Sequence, residues 1–324
     1  MANVSVLMAT YNGERYVEQQ ISSILTQTFK DFTLFISDDG STDKTLDIVK
    51  KMASVDQRIQ LLPTHQPTGS SCRNFLYLLD SIESDIYLFC DQDDVWTKDH
   101  IEVLLRNYDL LTPVQKKLPT LVHSDLTVVD KDLRVINKSY LNYMNLPRKS
   151  LNKHTYFIQN NVTGCVMLIN NALKESIFID KALLKEKIDS IPMHDAFFAS
   201  VAAEFGNILF INEKLELYRQ HDKNVVGAMN VKSIKYLKNK LKSVEKFRKD
   251  ISNCMQFCDF FCDYYKKNLS LEEKNILCEF CEIIKFGRIR RLFFLIRYRF
   301  IKHGFIRNLF FLISIFFMKE REGN

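Results

Sequence analysis

Short apolar runs alternate with polar turns and helical segments through the first hundred residues of the chain. The runs are four or five residues long and lie at residues 4–8, 32–36, 59–62 and 86–90. Apolar runs of this length, bounded by polar residues, predict buried strands. Between them, apolar residues recur every three or four positions, which predicts amphipathic helices. A repeated order of strand, turn and helix is typical of a parallel sheet in an α/β fold.

Polar side chains directly follow three of these predicted strands. They are Thr10 and Tyr11 after the first strand, Asp38 and Asp39 after the second, and Asp91, Gln92, Asp93 and Asp94 after the fourth. Because ligands bind beyond the carboxyl ends of parallel strands, we expect these groups to share one crevice. Carboxylates this close repel unless a proton or a cation intervenes, and open carboxylates suit Mg²⁺ or Mn²⁺, which bind diphosphates. The alternative is an acidic turn that caps the next helix through Asp94 or Thr97.

Two common phosphate-binding motifs are missing from the sequence. No G-x-G-x-x-G follows the first strand, and no G-x-x-x-x-G-K-[ST] occurs anywhere. The sequence therefore excludes a dinucleotide fingerprint of the Rossmann type and a P-loop. A bound phosphate would have to be held by a metal ion and by side chains.

The motifs, in their order along the chain, resemble those of the family 2 glycosyltransferases. Members of that family have the GT-A fold, with a Rossmann-like mixed sheet, and are inverting, metal-dependent enzymes that use nucleotide-sugar donors. The resemblance covers roughly the first two thirds of the chain. It implies a GT-A catalytic domain at residues 1–228 and a basic, aromatic-rich helical region at residues 229–324.

The resemblance implies that several turns bind the nucleotide of the donor. Residues 9–13 are similar to the opening nucleotide-binding turn of the family, which implies contacts from Thr10, Tyr11 and Asn12. In the acidic turn at residues 38–43, the second acid, Asp39, would contact the pyrimidine base. Arg73, in the segment at residues 69–74, would reach the nucleotide.

The resemblance also implies a metal-bound diphosphate. Asp91, Gln92 and Asp93 look like the D-x-D motif, with Asp93 as the direct ligand of Mn²⁺ or Mg²⁺ and the others on the donor side. His221 would supply a further metal contact, and Arg219 would offset the charge of the diphosphate. A mobile loop at residues 224–227 would cover the donor. Without the resemblance, a lone His is as often structural or merely solvated.

The acceptor side of the implied site includes the general base. Asp195 corresponds to the acid of the family's Glu-Asp motif, while His194 stands in place of the Glu. Thr163, Gly164 and Trp96 would belong to the acceptor pocket with His194. The His-Asp pair, together with the segment that ends at Trp96, is similar to the rhamnosyltransferase-type branch. Taken alone, Asp195 could be a plain helix cap.

The back third of the chain is basic. Residues 231–324 carry 21 Lys and Arg against 10 Asp and Glu, a net charge of +11, which leaves +6 − 11 = −5 for residues 1–230. A helix with a Lys-rich outer face is predicted at residues 232–250. Residues 283–319 contain no acid, and their longest uncharged run, 308–318, would reach only about 16 Å as a helix, against roughly 30 Å of hydrocarbon.

The acid-free segment therefore predicts peripheral membrane contact rather than a membrane span. The alternatives are helices packed on the catalytic domain and a homodimer. Nucleic-acid binding is not expected, because no recognition motif accompanies the charge. The start of the chain has no basic segment followed by a long apolar one, so we expect a cytoplasmic protein on the inner face of the cell membrane.

The eight cysteines are expected to be reduced thiols in such a compartment. Five of them lie close together in the back third, at Cys254, Cys258, Cys262, Cys278 and Cys281. A metal site there is the alternative, but the spacing fits no familiar pattern.

The expected function is inverting transfer of a sugar to a lipid-linked cell-wall or capsule polysaccharide. The resemblance favours L-rhamnose from dTDP-L-rhamnose. Alternatives are hexosyl or N-acetylhexosaminyl transfer from a UDP-sugar, sugar nucleotidyltransfer, and a non-catalytic nucleotide-sugar-binding protein. A nucleotidyltransferase would need a Gly-rich, Arg-containing loop after the first strand, which residues 9–12 do not provide.

Overall fold

A computed structural model describes residues 2–222 and 244–318 of the chain. The strands within these ranges are β1 (Val4–Thr10), β2 (Thr33–Asp38), β3 (Ile59–Leu61), β4 (Ile86–Cys90), β5 (Val95–Trp96), β6 (Thr120–Val129), β7 (Val135–Asn137), β8 (Met167–Asn170) and β9 (Asn207–Arg219). They form one mixed sheet in the order β3-β2-β1-β4-β8-β6-β9-β5, with β7 paired to β6. The predicted fold class, a Rossmann-like mixed α/β sheet followed by a helical region, is confirmed.

Helices flank the sheet and make up the described part of the C-terminal region. They are α1 (Val17–Leu25), α2 (Thr45–Ala53), α3 (Ser71–Ser81), α4 (His100–Asp109), α5 (Pro113–Lys116), α6 (Tyr140–Tyr143), α7 (Asn171–Ile177), α8 (Lys181–Glu186), α9 (His194–Phe205), α10 (Val244–Tyr264), α11 (Leu271–Cys281), α12 (Arg288–Arg297) and α13 (Phe305–Phe317). The boundary predicted at residues 228 and 229, the loop at 224–227 and most of the helix predicted at 232–250 lie outside the described residues.

The strand register explains why the predicted motifs meet at one edge. β1 lies between β2 and β4 and runs parallel to both, with Thr10 level with Asp38 and Met8 level with Cys90. The turns after these three strands therefore leave the sheet side by side. Residues 164–166 form a 3-10 turn that leads into β8.

Two hydrophobic cores lie on opposite faces of the sheet, because side chains alternate along a strand. Val6 and Leu88 face one core, whereas Leu7 and Phe89 face the other. The helices of the C-terminal region belong to the second core, which includes Phe261 of α10. They therefore pack on this face of the sheet and share its core.

Polar contacts also join the C-terminal region to the sheet domain. His154 Nε2 lies 2.6 Å from Glu273 Oε1, and Lys153 Nζ lies 2.5 Å from Glu273 Oε2. Burial alone would raise the pKa of Glu273, but the hydrogen bonds from His154 and Lys153 lower it overall. The Thr155 hydroxyl donates to the carbonyl oxygen of Arg299 over 3.1 Å. These contacts fix the last helices beside residues 153–155 of the sheet domain.

The cysteines of the C-terminal helices pack as thiols. Cys262 Sγ lies 3.1 Å from Cys278 Sγ, and both are free thiols. Within the described ranges, the groups of three or more side chains with metal-ligand spacing do not include these cysteines. None of the helices in the same ranges combines the length and the apolar character that crossing a bilayer requires.

The close approach of α9 to the strand β6 gives a test of the fold. Gly206 ends α9, and a Cβ atom there would lie 1.8 Å from the carbonyl oxygen of Pro119. We expect Gly206→Ser to lower the free energy of unfolding by about 1–3 kcal/mol, because the backbone must move to admit the side chain. Urea denaturation measures the change.

The matched control is Gly287→Ser. A Cβ at Gly287 meets nothing within 4 Å, and serine suits the helix-capping position that Gly287 occupies. Equal unfolding midpoints for the two variants would contradict the packing described here.

Candidate active site

A cleft of about 1710 Å³ opens at the carboxyl edge of the sheet. Every site residue predicted from the sequence lines it except Trp96 and Arg219. The cleft thus brings together the turns after β1, β2 and β4, the segment before β8 and the start of α9. Three residues of the C-terminal region, Asp250, Lys302 and Arg307, line it as well, and the sequence did not predict this.

The turn after β2 is held by its own first acid. Asp38 accepts hydrogen bonds from the backbone N–H groups of Gly40 and Ser41, over 3.1 and 2.8 Å, and from the Thr10 hydroxyl over 2.9 Å. Gly40 has a φ of +84°, a conformation that favours glycine. The Thr10 hydroxyl therefore fixes the acidic turn, which leaves Tyr11 and Asn12 as the more accessible residues of the first turn.

Asp39, the second acid, faces the cleft and ties the acidic turn to the following loop. Its carboxylate accepts hydrogen bonds from Thr68 N, over 2.6 Å, and from Thr68 Oγ1 and Gly69 N, over 3.0 and 2.9 Å. Arg73 opens the next helix, and its Nη2 atom lies 2.6 Å from Asp189 Oδ1 at the edge of the cleft. The contacts of Asp39 and Arg73 with a nucleotide remain predictions.

Gln92 joins the first turn to the D-x-D segment. Its amide accepts a hydrogen bond from Tyr11 N over 2.9 Å and donates one to Tyr11 O over 2.8 Å. Gly13 lies directly beneath, and a Cβ atom there would come within 2.1 Å of Gln92 Oε1. Gln92 lines the cleft, but its amide is used to hold two strand ends together.

Asp93 and His221 meet across the cleft floor. Asp93 Oδ2 lies 2.7 Å from His221 Nε2, and the His221 ring stacks on Tyr16 with centroids 5.1 Å apart. These two residues are far apart in sequence and come together because β9 ends beside the D-x-D segment. Asp93 and His221, which were both predicted as metal ligands, therefore lie next to each other. The metal itself remains a proposal.

Arg219 is positioned differently from the prediction. Its side chain is buried, with 2% exposure, and donates to Asp93 O over 2.6 Å, to Lys131 O over 2.8 Å and to Gln19 Oε1 over 2.6 Å. The guanidinium also lies over the Tyr16 ring, 4.5 Å from its centroid. Arg219 therefore supports the D-x-D segment from below and does not line the cleft, because β9 turns its side chain toward α1.

Trp96 is also outside the cleft. It lies in β5, is 3% exposed, and stacks on His100 with centroids 3.8 Å apart. Pairing of β5 with β9 directs the Trp96 ring into the core, where it packs with residues such as Ile101. The prediction that Trp96 contributes to the acceptor pocket is wrong for this structure.

A buried carboxyl cluster lies beneath the D-x-D segment. Burial, followed by the charges of Asp93 and Asp94, raises the pKa of Asp91 well above its usual range. Burial and then the charge of Asp93 raise the pKa of Asp94, while its hydrogen bond with Glu216 lowers it in part. Burial and then the charge of Asp94 raise the pKa of Glu216 well above its usual range. Glu216 could not be found from the sequence, because it lies in a strand whose pairing with β5 is not local.

The residues on the cleft floor fit a divalent cation. The carboxylates of Asp91 and Asp93 are ligands that Mg²⁺ and Mn²⁺ prefer, and the His221 imidazole favours the transition metal Mn²⁺ over Mg²⁺. A cation would also relieve the repulsion that raises the pKa of Asp91. The neighbouring group of Asp91, Asp94 and Cys165 suits such a cation less well, because burial raises the pKa of the Cys165 thiol.

Asp195 lines the same cleft, at the start of α9. Burial raises the pKa of Asp195 to about 6, while polar contacts from the backbone N–H groups of Ala196 and Gly164 and from the Asn160 side chain lower it. Such a carboxyl group is ionised at neutral pH and is basic enough to accept a proton.

His194 is a neutral side chain beside this base. Burial lowers the pKa of His194 to about 3, and its ring lies 4.4 Å from that of Phe75 between centroids. Neither ring nitrogen has a hydrogen-bond partner within the described residues, although His194 lines the cleft. Gly164 is required nearby, since a Cβ there would lie 2.6 Å from His194 Nε2. The contacts of Thr163, Gly164 and His194 with an acceptor remain predictions.

The mixed sheet, with a cleft at the carboxyl ends of its parallel strands, defines an α/β protein that binds its ligands at this edge. The model of "Glycosyl transferase family 2" matches residues 5–172, just over half of the 324-residue chain. The chain therefore belongs to glycosyl transferase family 2. The predicted family is confirmed.

Relatives with known or assigned activities match to different extents. The chain is 30% identical to "dTDP-rhamnosyl transferase RfbG" of Shigella flexneri over 253 residues, which cover 76% of this chain and 82% of RfbG. It is 34% identical over 101 residues to "UDP-Glc:alpha-D-GlcNAc-diphosphoundecaprenol beta-1,3-glucosyltransferase WfgD" of Escherichia coli, covering 31% of this chain and 38% of WfgD.

Solved structures share the fold. S. aureus TarS 1–349 in complex with UDP matches with a TM-score of 0.51 and 14% identity, over 97% of this chain and 89% of that structure. At this identity the likeness shows the fold and no more.

The expected binding of a metal ion by Asp93 gives a prediction. We expect Asp93→Asn to weaken Mn²⁺ binding in the presence of dTDP by about 10- to 100-fold or more. Substitution of a residue that only hydrogen-bonds to a metal ligand already has an effect of that size. Electron paramagnetic resonance of free Mn²⁺ during titration measures the affinity. Asp109→Asn, an exposed acid that pairs with Lys116, is the control and should bind as the wild type does. Equal affinity in all three proteins would rule out a metal on Asp93.

Proposed function

We propose that the protein transfers a sugar, with inversion, from a nucleoside diphosphate to a hydroxyl group of a lipid-linked glycan. The observation that carries this proposal is that the pair of Asp93 and His221 and the half-buried, basic Asp195 line the same cleft. The pair suits a diphosphate with its cation, and Asp195 suits the hydroxyl that attacks.

The chemical step follows from the position of Asp195. Its carboxylate accepts the proton of the acceptor hydroxyl while that oxygen attacks the anomeric carbon. The bond from the anomeric carbon to the diphosphate breaks on the opposite face, so the configuration inverts and no covalent intermediate with the protein forms. The neutral His194 beside Asp195 adds no charge that would lower the basicity of the carboxylate.

The donor side holds the leaving group. Asp93, His221 and Asp91 would hold Mn²⁺ or Mg²⁺, which would stabilise the negative charge that collects on the departing diphosphate. Tyr11, Asn12, Asp39 and Arg73 would contact the nucleotide. Arg219 acts indirectly, because its hydrogen bond to Asp93 O holds the D-x-D segment in place.

The proposed donor is dTDP-L-rhamnose. The similarity to RfbG, described as a dTDP-rhamnosyl transferase, supports this choice because it extends over most of both chains. A UDP-sugar is the second candidate, and the similarity to WfgD, whose name specifies UDP-Glc, favours it over a shorter stretch. Nucleotide release from a panel of nucleotide sugars separates the two, and release from none of them would support a non-catalytic binding protein.

We also propose peripheral membrane contact through the last two helices. Apolar side chains that are exposed on α12 and α13 include Ile289, Phe293, Ile296, Phe305, Ile306, Leu309, Ile313 and Phe317. On each helix they recur every three to four residues and so share one face. Exposed Arg288, Arg290, Arg297 and Arg299 lie in the same region, and each would add about 1 kcal/mol near anionic headgroups. The homodimer remains the alternative use of this surface.

Loss of the base should abolish turnover without loss of the donor. We expect Asp195→Asn to lower kcat by about 10²- to 10⁴-fold, the usual contribution of a general base, with little change in donor affinity. The measurement is dTDP release from dTDP-L-rhamnose with a lipid-linked glycan acceptor, alongside a donor-binding titration. Asp109→Asn is again the control. A rate within a factor of a few of wild type would show that another group takes the proton.

The raised pKa of Asp195 predicts the pH dependence. The base is active when ionised, so kcat/KM should rise with pH through about pH 6 and level off above it. Initial rates between pH 4.5 and 8 at saturating Mn²⁺ measure this profile. A rate that is constant down to pH 4.5 would contradict the buried environment of the base.

The membrane proposal predicts a loss of vesicle binding. We expect the double substitution of Phe293→Ser and Phe305→Ser to reduce partitioning onto anionic phospholipid vesicles at least about tenfold, because two exposed rings no longer insert. Co-sedimentation measures the bound fraction, with Leu271→Ser, an equally exposed apolar residue on α11, as control. Unchanged partitioning together with a change from dimer to monomer would favour the homodimer.

A further inference from the structure

The cleft is bordered at one end by the C-terminal region. Lys302 and Arg307 line it together with Met144 and Gln159 of the sheet domain. Asp250 also lines this end, but the two basic residues outnumber it. We call Lys302 and Arg307 the basic rim.

The Arg307 side chain is held in place by groups that do not neutralise its positive charge. Its Nη2 atom donates to Met144 O over 2.6 Å and its Nη1 atom to Asn145 O over 3.2 Å. Both acceptors are neutral carbonyl oxygens. An ion pair requires a nitrogen–oxygen distance of 4.0 Å or less. Among the residues whose side chains are described, no carboxylate oxygen lies that close to the Arg307 guanidinium. The guanidinium is therefore a fixed positive charge at the cleft.

The basic rim lies on the side of Asp195. The backbone N–H of His303 donates to Gln159 Oε1 over 2.6 Å. Asn160, which follows Gln159 in the chain, contacts the Asp195 carboxylate. Tyr140, which also lines the cleft, is close to both groups: burial and then the charge of Asp195 raise the pKa of its hydroxyl, while Arg307 lowers it. The rim thus adjoins the place where the acceptor hydroxyl must lie.

The opposite side of the rim is apolar. Arg307 belongs to the first turn of α13, where Phe305 is 82% exposed and Ile306 is exposed as well. Moving outward from Asp195, the surface is therefore first polar, then positively charged, then apolar. A lipid-linked glycan has the same order of parts, namely sugar, phosphate and hydrocarbon.

We propose that Arg307, with Lys302, binds the phosphate group through which the acceptor glycan is attached to its lipid. The inference rests on the proposed function for the identity of the acceptor. A guanidinium donates to phosphate oxygens in a fork-shaped geometry, and an ammonium adds a second charge. This phosphate site is distinct from the donor diphosphate site at Asp93 and His221. Its role is to place the terminal sugar of the acceptor against Asp195.

The test uses farnesyl diphosphate as the probe, because it has the phosphate and the lipid but no sugar. Binding is measured by calorimetry in EDTA, so that no metal at Asp93 contributes. We expect the wild type to bind the probe, and Arg307→Gln and Lys302→Gln each to bind it about tenfold more weakly. Lys267→Gln, an exposed lysine on the same region, is the control and should bind as the wild type does. If Arg307→Gln does not fold, Lys302→Gln and Arg307→Lys carry the test.

Two further ligands separate the sources of the phosphate. Farnesol should bind at least tenfold more weakly than farnesyl diphosphate. Inorganic pyrophosphate should also bind more weakly than farnesyl diphosphate. Pyrophosphate binding as tight as that of the probe would identify a free phosphate as the ligand and overturn the proposal. Equal binding of the probe to wild type and to all the rim variants would overturn it as well.

The outcome is distinguishable from failure of the proposed function. Sugar transfer does not enter the binding measurement, so loss of probe binding in the rim variants supports the rim even if no nucleotide sugar is turned over. Conversely, efficient transfer by the wild type, with rim variants that bind the probe normally, would leave the proposed function standing and remove this inference.

Discussion

Repulsion among carboxylates at the end of β4 is the constraint on which the rest of the site depends. Burial and then the charges of Asp93 and Asp94 raise the pKa of Asp91, and burial and then the charge of Asp94 raise the pKa of Glu216. The chain compensates with hydrogen bonds from Arg219 to the backbone of the D-x-D segment and with the His221 contact to Asp93. A divalent cation would complete this compensation, which couples the stability of the cleft floor to binding of the donor.

The other half of the proposed chemistry lies on a different element. Asp195 begins α9, where burial raises its pKa, and its charge in turn raises the pKa of Asp91. In the proposed mechanism the two groups have separate roles, one for the departing diphosphate and one for the proton of the acceptor. The C-terminal helices share a core with the sheet, and this packing brings Lys302 and Arg307 to the cleft.

The sequence predicted correctly those site residues whose positions depend on the order of the parallel strands. It failed for residues whose positions depend on pairing between strands that are distant in the chain. Tyr11, Asp39 and Asp93 were predicted correctly to line one cleft, because parallel strands bring the turns that follow them to one edge. Trp96 was misplaced because the two-residue strand β5 is created only by its pairing with β9. The inward direction of Arg219 and the proximity of Glu216 to Asp94 depend on the same pairing. The basic rim could not be predicted, since it requires the docking of α13 beside Met144 and Asn145.

The most direct measurement of the central claim is a crystal structure of the protein with Mn²⁺ and dTDP, with the metal located by its anomalous scattering. The account predicts one Mn²⁺ ion bound by Asp93 and His221 and by the diphosphate of dTDP, with the Asp195 carboxylate facing the metal across an open space that can hold a sugar. A metal ion bound elsewhere, with Asp93 and His221 still paired only with each other, would contradict it.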